Sequence, residues 1–144
     1  MLYGAANQIA GGVPVTFNGG TFNLVELTQT VLRVLTLSAD SSLDFGTRGA
    51  QTLHFSSLGS HTTGKILSIS SNWVGAPSGS GTDRIDFDSP GSVPSAFLSD
   101  VWFSRYGQAA QILAGGEVVP LPCPAVRPSV DFSPDLTNAR GTFE

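Results

Sequence analysis

One pattern recurs along the chain and limits what it can fold into: two apolar residues spaced two apart, then a run of Gly, Asn, Ser or Asp. The copies are Val13, Val15 and Phe17; Phe22 and Leu24; Leu35 and Leu37; Leu43 and Phe45; Leu53 and Phe55; Leu67 and Ile69; Ile85 and Phe87; and Val101 and Phe103. Side chains two apart share one face of a strand, so each pair points to a core. Thr16, Asn23, Thr36, Asp44, His54, Ser68 and Asp86 then point outward. Each copy spans only three to five residues. Turn-forming clusters separate them, among them Asn18-Gly19-Gly20, Ser38-Ala39-Asp40-Ser41, Gly46-Thr47-Arg48-Gly49 and the stretch from Gly59 to Gly64.

Many short strands fit either a sandwich of antiparallel hairpins or a solenoid that stacks parallel strands rung on rung. Sandwich strands usually run to five residues or more with two-residue turns, whereas these are shorter and irregularly spaced. The inward positions are almost all Leu, Ile, Val and Phe, as stacked ladders require. The expectation is an all-β solenoid with short irregular rungs. Composition agrees. Asp, Glu, Lys and Arg make up 12% of 144 residues, against about 25% in an ordinary soluble domain, which leaves little material for helical bundles. A hydrophobic fraction of 40% with a net charge of −4 excludes intrinsic disorder. Seven basic against 11 acidic residues leave no stripe to neutralise several phosphates, which excludes nucleic acid as a partner.

The remaining pieces are less regular. Asn72 to Gly81, which holds Trp73, reads as a flexible loop between rungs. One short helix is expected from Val93 to Asp100, with Ser92 as N-cap, Pro94 in the first turn, and Phe97 and Leu98 on its apolar face. Three short strands follow at 101–103, 111–113 and 117–119. From Pro120 the composition changes, and five prolines argue against regular ladders. The domain plan is therefore a solenoid over 1–120 and an extended or disordered arm over 121–144. Cys123 has no partner for an intramolecular disulfide and reads as an incidental thiol. Met1 to Gly12 has neither the charged start nor the apolar run of a leader, no stretch approaches the length of a membrane span, and no Asn-x-Ser/Thr sequon occurs.

The order of the pieces carries a resemblance. Gly4 to Ile9, Val15 to Leu24, and Leu35 to Gly46 resemble the autotransporter-associated β-strand repeat. Ile69 to Trp73, Gly81 to Phe87, Val101 to Phe103 and Ala110 to Pro120 look like the terminal repeat region of bacterial surface proteins that often end in a PEP-type sorting signal. The resemblance covers about Gly4 to Pro120. It implies export, a right-handed parallel β-helix and display outside the cell or on its surface, although neither leader nor anchor is recognisable in the chain. It supplies no catalytic residues.

The residues themselves offer few chemical candidates. Ser78 to Asp86 approaches the calcium-binding nonapeptide, which makes Asp83, Asp86 and Asp88 the metal candidates; such sites are built from tandem copies, and only one is present, so no metal or other cofactor is expected. His54 and His61 have no companion at metal spacing, and Ser and Asp are too frequent for a triad pattern to be specific. With a single lysine, Lys65, and no carboxylate pair suited to acid and base roles, an enzyme is not expected. Trp73, Trp102 and Tyr106 are the candidates for an aromatic platform that binds surface polysaccharide, although burial competes with that role.

A parallel solenoid exposes unpaired backbone groups at its ends. The first rung carries no charge before Glu26, and the arm alternates Val130 and Phe132 with polar residues. The leading expectation is therefore an extracellular structural protein that assembles end to end with itself, through Val13, Val15 and Phe17 at one end and Val126, Val130 and Phe132 in the arm. The alternative is a monomeric surface stalk or adhesive module that binds carbohydrate.

Overall fold

The computed structural model describes residues 11–24, 29–47 and 49–123. Its strands are β1 (Val15–Asn23), β2 (Gln29–Asp44), β3 (Thr52–His61), β4 (Leu67–Ile69), β5 (Arg84–Phe87), β6 (Val101–Phe103), β7 (Gln108–Ile112) and β8 (Val118–Pro120). A 3-10 turn (Pro90–Ser92) and a single helical turn, α1 (Ser95–Ser99), lie between β5 and β6. The protein is mostly β-strand, and the strands form one nearly closed mixed sheet in the order β5-β3-β2-β4-β6-β7-β8, with β1 also alongside β2.

Parallel pairing joins β1 to β2, β2 to both β3 and β4, β3 to β5, and β4 to β6. The register stacks like on like. Leu32, Phe55 and Phe87 form one row, Leu53 faces Ile85, and Phe22, Leu43, Ile69 and Phe103 form another. Of these, all but the half-buried Phe22 are withdrawn from solvent. Fully burying each such side chain contributes about 1.5–3 kcal/mol, so the rows rather than cross-links hold the fold. Stacking is also aromatic: the Phe55 and Phe87 rings lie 5.5 Å apart at 28°.

The inward pairs fall largely where the period-two pattern puts them. Val13 does not; it is 40% exposed, and Val15 is only half-buried. Asp86, expected to face outward, is buried because the backbone of Glu117 bridges it and the Arg84 guanidinium lies against its carboxylate.

Three strands are much longer than expected: β1 runs nine residues, β2 16 and β3 ten. Asn18-Gly19-Gly20 and Ser38 to Ser41, expected to interrupt strands, lie inside β1 and β2. A register shift between Phe17 and Asn18 bends the pair without ending it. Gly19 and Gly20 supply the bend with φ of +97° and +83°. The Ser41 hydroxyl accepts the Gly19 N–H and donates to the Ala39 carbonyl, so the corner keeps its hydrogen bonds.

The last described strands depart further from all-parallel rungs, because β6–β7 and β7–β8 are antiparallel. Pro120, placed by its composition outside any ladder, belongs to β8, opposite Ala110. Its missing N–H is tolerated at a strand end. The helix is shorter than expected and starts later, with Pro94 rather than Ser92 as N-cap. Ser92 instead accepts the Leu58 N–H and donates to the Ser89 carbonyl, fastening the 3-10 turn to β3. Phe97 of α1 is buried edge-on to Phe87 at 6.3 Å and closes over the core.

Candidate functional site

Each strand that buries an alternating pair must show its other side chains to solvent, and the register aligns these as well as the core rows. Thr21, Ser42, Ser68, Trp102 and Ala109 are successive partners across β1, β2, β4, β6 and β7. The Leu121 amide donates to the Ala109 carbonyl at 2.8 Å and extends the row by one residue. Trp102 is 44% exposed and Leu121 40% exposed, whereas their chain neighbours Val101, Phe103 and Pro120 are buried. The result is an outward strip, hydroxyl-bearing at one end and apolar at the other.

Beside it runs a carboxylate held by its neighbours. Asp44 accepts hydrogen bonds from the Gly46 N–H at 2.9 Å, the Ser70 hydroxyl at 3.1 Å and the Asn72 side-chain amide at 3.2 Å. The Gly46 bond, supported by Asn72 and Ser70, holds its carboxyl below the ordinary value despite the opposing effect of burial.

Comparison with protein-family models, with curated proteins and with solved structures found no match. Function therefore rests on the geometry of this chain.

The loop expected to be flexible is a packed clamp. Trp73 is fully buried, 4.7 Å from the Phe103 ring and 5.8 Å from the Tyr106 ring, and the Tyr106 hydroxyl donates to the Gly75 carbonyl. Gly75 and Gly81 approach so closely that a Cβ on Gly81 would run into Gly75. Asp83 pins the loop at both sides, its Oδ2 accepting the Val74 N–H and its Oδ1 the Gln51 N–H. Burial pushes its carboxyl above the ordinary value, against the pull of those two amide bonds. Farther along, Gly79 (φ +85°) and Ser80 (φ 63°) turn the Ser80 N–H onto Glu117 Oε2 at 2.8 Å. Arg84 links this carboxylate to Asp86, with Nε 3.5 Å from Glu117 Oε2 and Nη2 3.1 Å from Asp86 Oδ1.

The aromatic candidates are thus separated: Trp73 is interior, the half-buried Tyr106 covers it, and Trp102 alone of the three faces out. The metal candidates are separated as well. Asp83 holds two amides, Asp86 pairs with Arg84, and Asp88 takes His54 at 2.7 Å. Among the described residues no three His, Cys, Asp or Glu side chains gather around a common point. His61 pairs with Asp100 at 2.7 Å, and Asp100 also accepts the Gly64 N–H, joining β3 to the end of α1. Each histidine spends its Nε2 on a carboxylate, His54 on Asp88 and His61 on Asp100. Of the assembly candidates, Phe17 is core, Val15 half-buried and Val13 exposed, while Val126, Val130 and Phe132 lie outside the described residues.

Two contributors escaped the sequence reading. Glu117 is nearly inaccessible, and its signal was a carboxylate between Gly116 and Val118-Val119 in a chain with little charge. Ser41 is buried at the β1–β2 corner, and nothing in its Ser-rich surroundings distinguishes it.

Proposed function

We propose that this chain is a non-catalytic structural module, a right-handed β-helix of the kind the autotransporter-associated repeat resemblance implies, displayed outside the cell as a monomeric stalk or adhesive segment. The observation that carries this reading is the antiparallel turn-back beyond β6. Where a further parallel rung would lie, β7 and β8 run the other way and bury Val118, Val119 and Pro120. A sheet closed in this manner lacks, at its β6 end, the continuing parallel edge that another subunit would extend.

The winding is supported by register. Val15 pairs with Leu35, which pairs with Leu58, and Ser41 pairs with Leu67, which pairs with Val101, all in parallel. Successive parallel strands of this kind need a crossover, and such crossovers are right-handed in about 98% of cases. A structural rather than catalytic role is supported by how the ionisable groups are used. Asp83 and Glu117 are committed to backbone amides, and Asp86, Asp88 and Asp100 to Arg84, His54 and His61.

End-to-end assembly into a filament or surface layer is the second reading. The exposure of Val13 and partial exposure of Val15, at the β1 side of the sheet, favour it. Negative-stain electron microscopy of concentrated protein separates the two. Discrete particles of one size are expected; filaments or sheets overturn the monomeric module in favour of the polymer.

A further inference from the structure

We infer that the outward strip centred on Trp102 is a stacking platform for a neutral, hydroxyl-rich polysaccharide. An indole whose chain neighbours are buried, and which itself remains 44% exposed in the middle of a sheet face, offers a flat apolar surface of the type that packs against the C–H face of a pyranose ring. Small residues flank it: Ser68 on β4 and Ala109 on β7 stand directly opposite, so neither side chain rises over the ring system. Strand spacing then sets the distances. Adjacent strands lie about 4.8 Å apart, so Ser68, Ser42 and Thr21 place hydroxyls at about 5, 10 and 14 Å from the indole, in one line. These steps are close to the length of one sugar residue in an extended chain. On the other side, Ala109 and Leu121 continue the apolar surface for a second ring.

Charge decides the class of ligand. Asp40, Asp44 and Asp100 flank the strip's residues along β2 and before β6, and among the described residues the basic groups nearest it along the chain are Lys65, 3.9 Å from Asp40, and Arg105 in the β6–β7 turn. Among the described residues no row of cations crosses the strands to meet successive sulfates, phosphates or uronates, and the chain as a whole carries −4. Acceptor carboxylates and hydroxyls beside an indole suit a ligand that brings hydroxyl donors and no negative charge. A row that crosses five strands suits an extended chain more than a single sugar.

The inference deepens the surface-module reading, and its test is independent of oligomeric state. The full chain is run in native gels cast with hydroxyethylcellulose, laminarin or galactomannan, with polygalacturonate and heparin as polyanion controls. At least one neutral polymer should retard the wild type, Trp102→Ala should lose at least tenfold in apparent affinity at unchanged melting temperature, and Trp102→Phe should retain part of it. A bulky Ser68→Arg substitution beside the indole should abolish retardation even if Trp102→Ala fails to fold. Tryptophan emission should shift to the blue on binding, because Trp73 is already buried and Trp102 supplies the change. No retardation by any neutral polymer, retardation by polyanions alone, or undiminished retardation of folded Trp102→Ala and Ser68→Arg variants overturns the platform. A monomer that binds none of these polymers leaves the module reading intact; a filament that binds through Trp102 overturns the module reading and not the platform.

Discussion

Asp83 Oδ2 lies 2.6 Å from the amide nitrogen of Val74, across the mouth of the loop that seals Trp73 in the core. The other oxygen takes the Gln51 amide at 3.1 Å, so one carboxylate closes a ring of backbone between β3 and β5. An asparagine keeps one acceptor and turns an NH2 group toward the second amide. Asp83→Asn is therefore predicted to cost about 1–3 kcal/mol, and Asp83→Ala more, by leaving buried N–H groups unpaired. Chemical denaturation measures the loss, and Trp73 emission should move to the red as the loop loosens.

Asp83 and Asp44 make opposite contributions to the pH dependence of stability. The carboxyl of Asp83 is raised in the folded state, chiefly by burial, so the stability it gives when protonated is fully present below its unfolded value of 3.8 and is lost as pH rises through the folded value. That of Asp44 is lowered, chiefly by the Gly46 amide, so its contribution is present above 3.8 and is lost as pH falls through the folded value. Denaturation curves from about pH 2.5 to about pH 6 check both signs. Asp44→Asn should flatten the acid-side loss, and Asp83→Asn should remove the opposing slope above it.

Gly116 adopts φ +90°, and a Cβ there would run into the Phe87 carbonyl oxygen. Its carbonyl also accepts the Phe87 N–H, so the backbone cannot retreat without losing that bond. Gly116→Ala should cost at least about 2–3 kcal/mol through strain and overpacking. Its neighbour Gly115 has open space around it, and Gly115→Ala should fall within about 0.5 kcal/mol of the wild type. Parallel thermal melts of the two variants are sufficient.

The stacked rows make a graded prediction of their own. Leu53 is wholly buried between Ile85 and the Gln29 position of β2, so Leu53→Ala should cost about 2–5 kcal/mol. Thr16 is exposed on β1, and Thr16→Ala should change stability by no more than about 0.5 kcal/mol.

The core was legible because period-two alternation survives in short strands: Leu35 and Leu37, Leu53 and Phe55, Ile85 and Phe87 are all buried as the spacing demands. Leu32 was not legible. It is buried three residues before Leu35, and register irregularities on either side bend β2 so that the alternation breaks. The glycine-rich corners misled for a related reason. Local composition marks a bend, but whether the ladder continues through it depends on long-range partners, here the Ser41 hydroxyl on Gly19. Trp73 and Trp102 show the same limit at the candidate site. Both sit in strand or loop signals of similar character, and only the packing of Phe103 and Tyr106 decides which indole goes inside. The clamp by Asp83 was partly visible as a turn cap, whereas its reach to Gln51 spans 32 residues and leaves no local trace.

Sedimentation velocity across a wide concentration range tests the central claim most directly, because a closed sheet end and a stackable one differ in mass. A single species at the 15.0 kDa of one chain, unchanged on concentration, is the predicted result. A mass that climbs with concentration without reaching a limit contradicts it, since open-ended growth requires the free edge that β7 and β8 are held to remove.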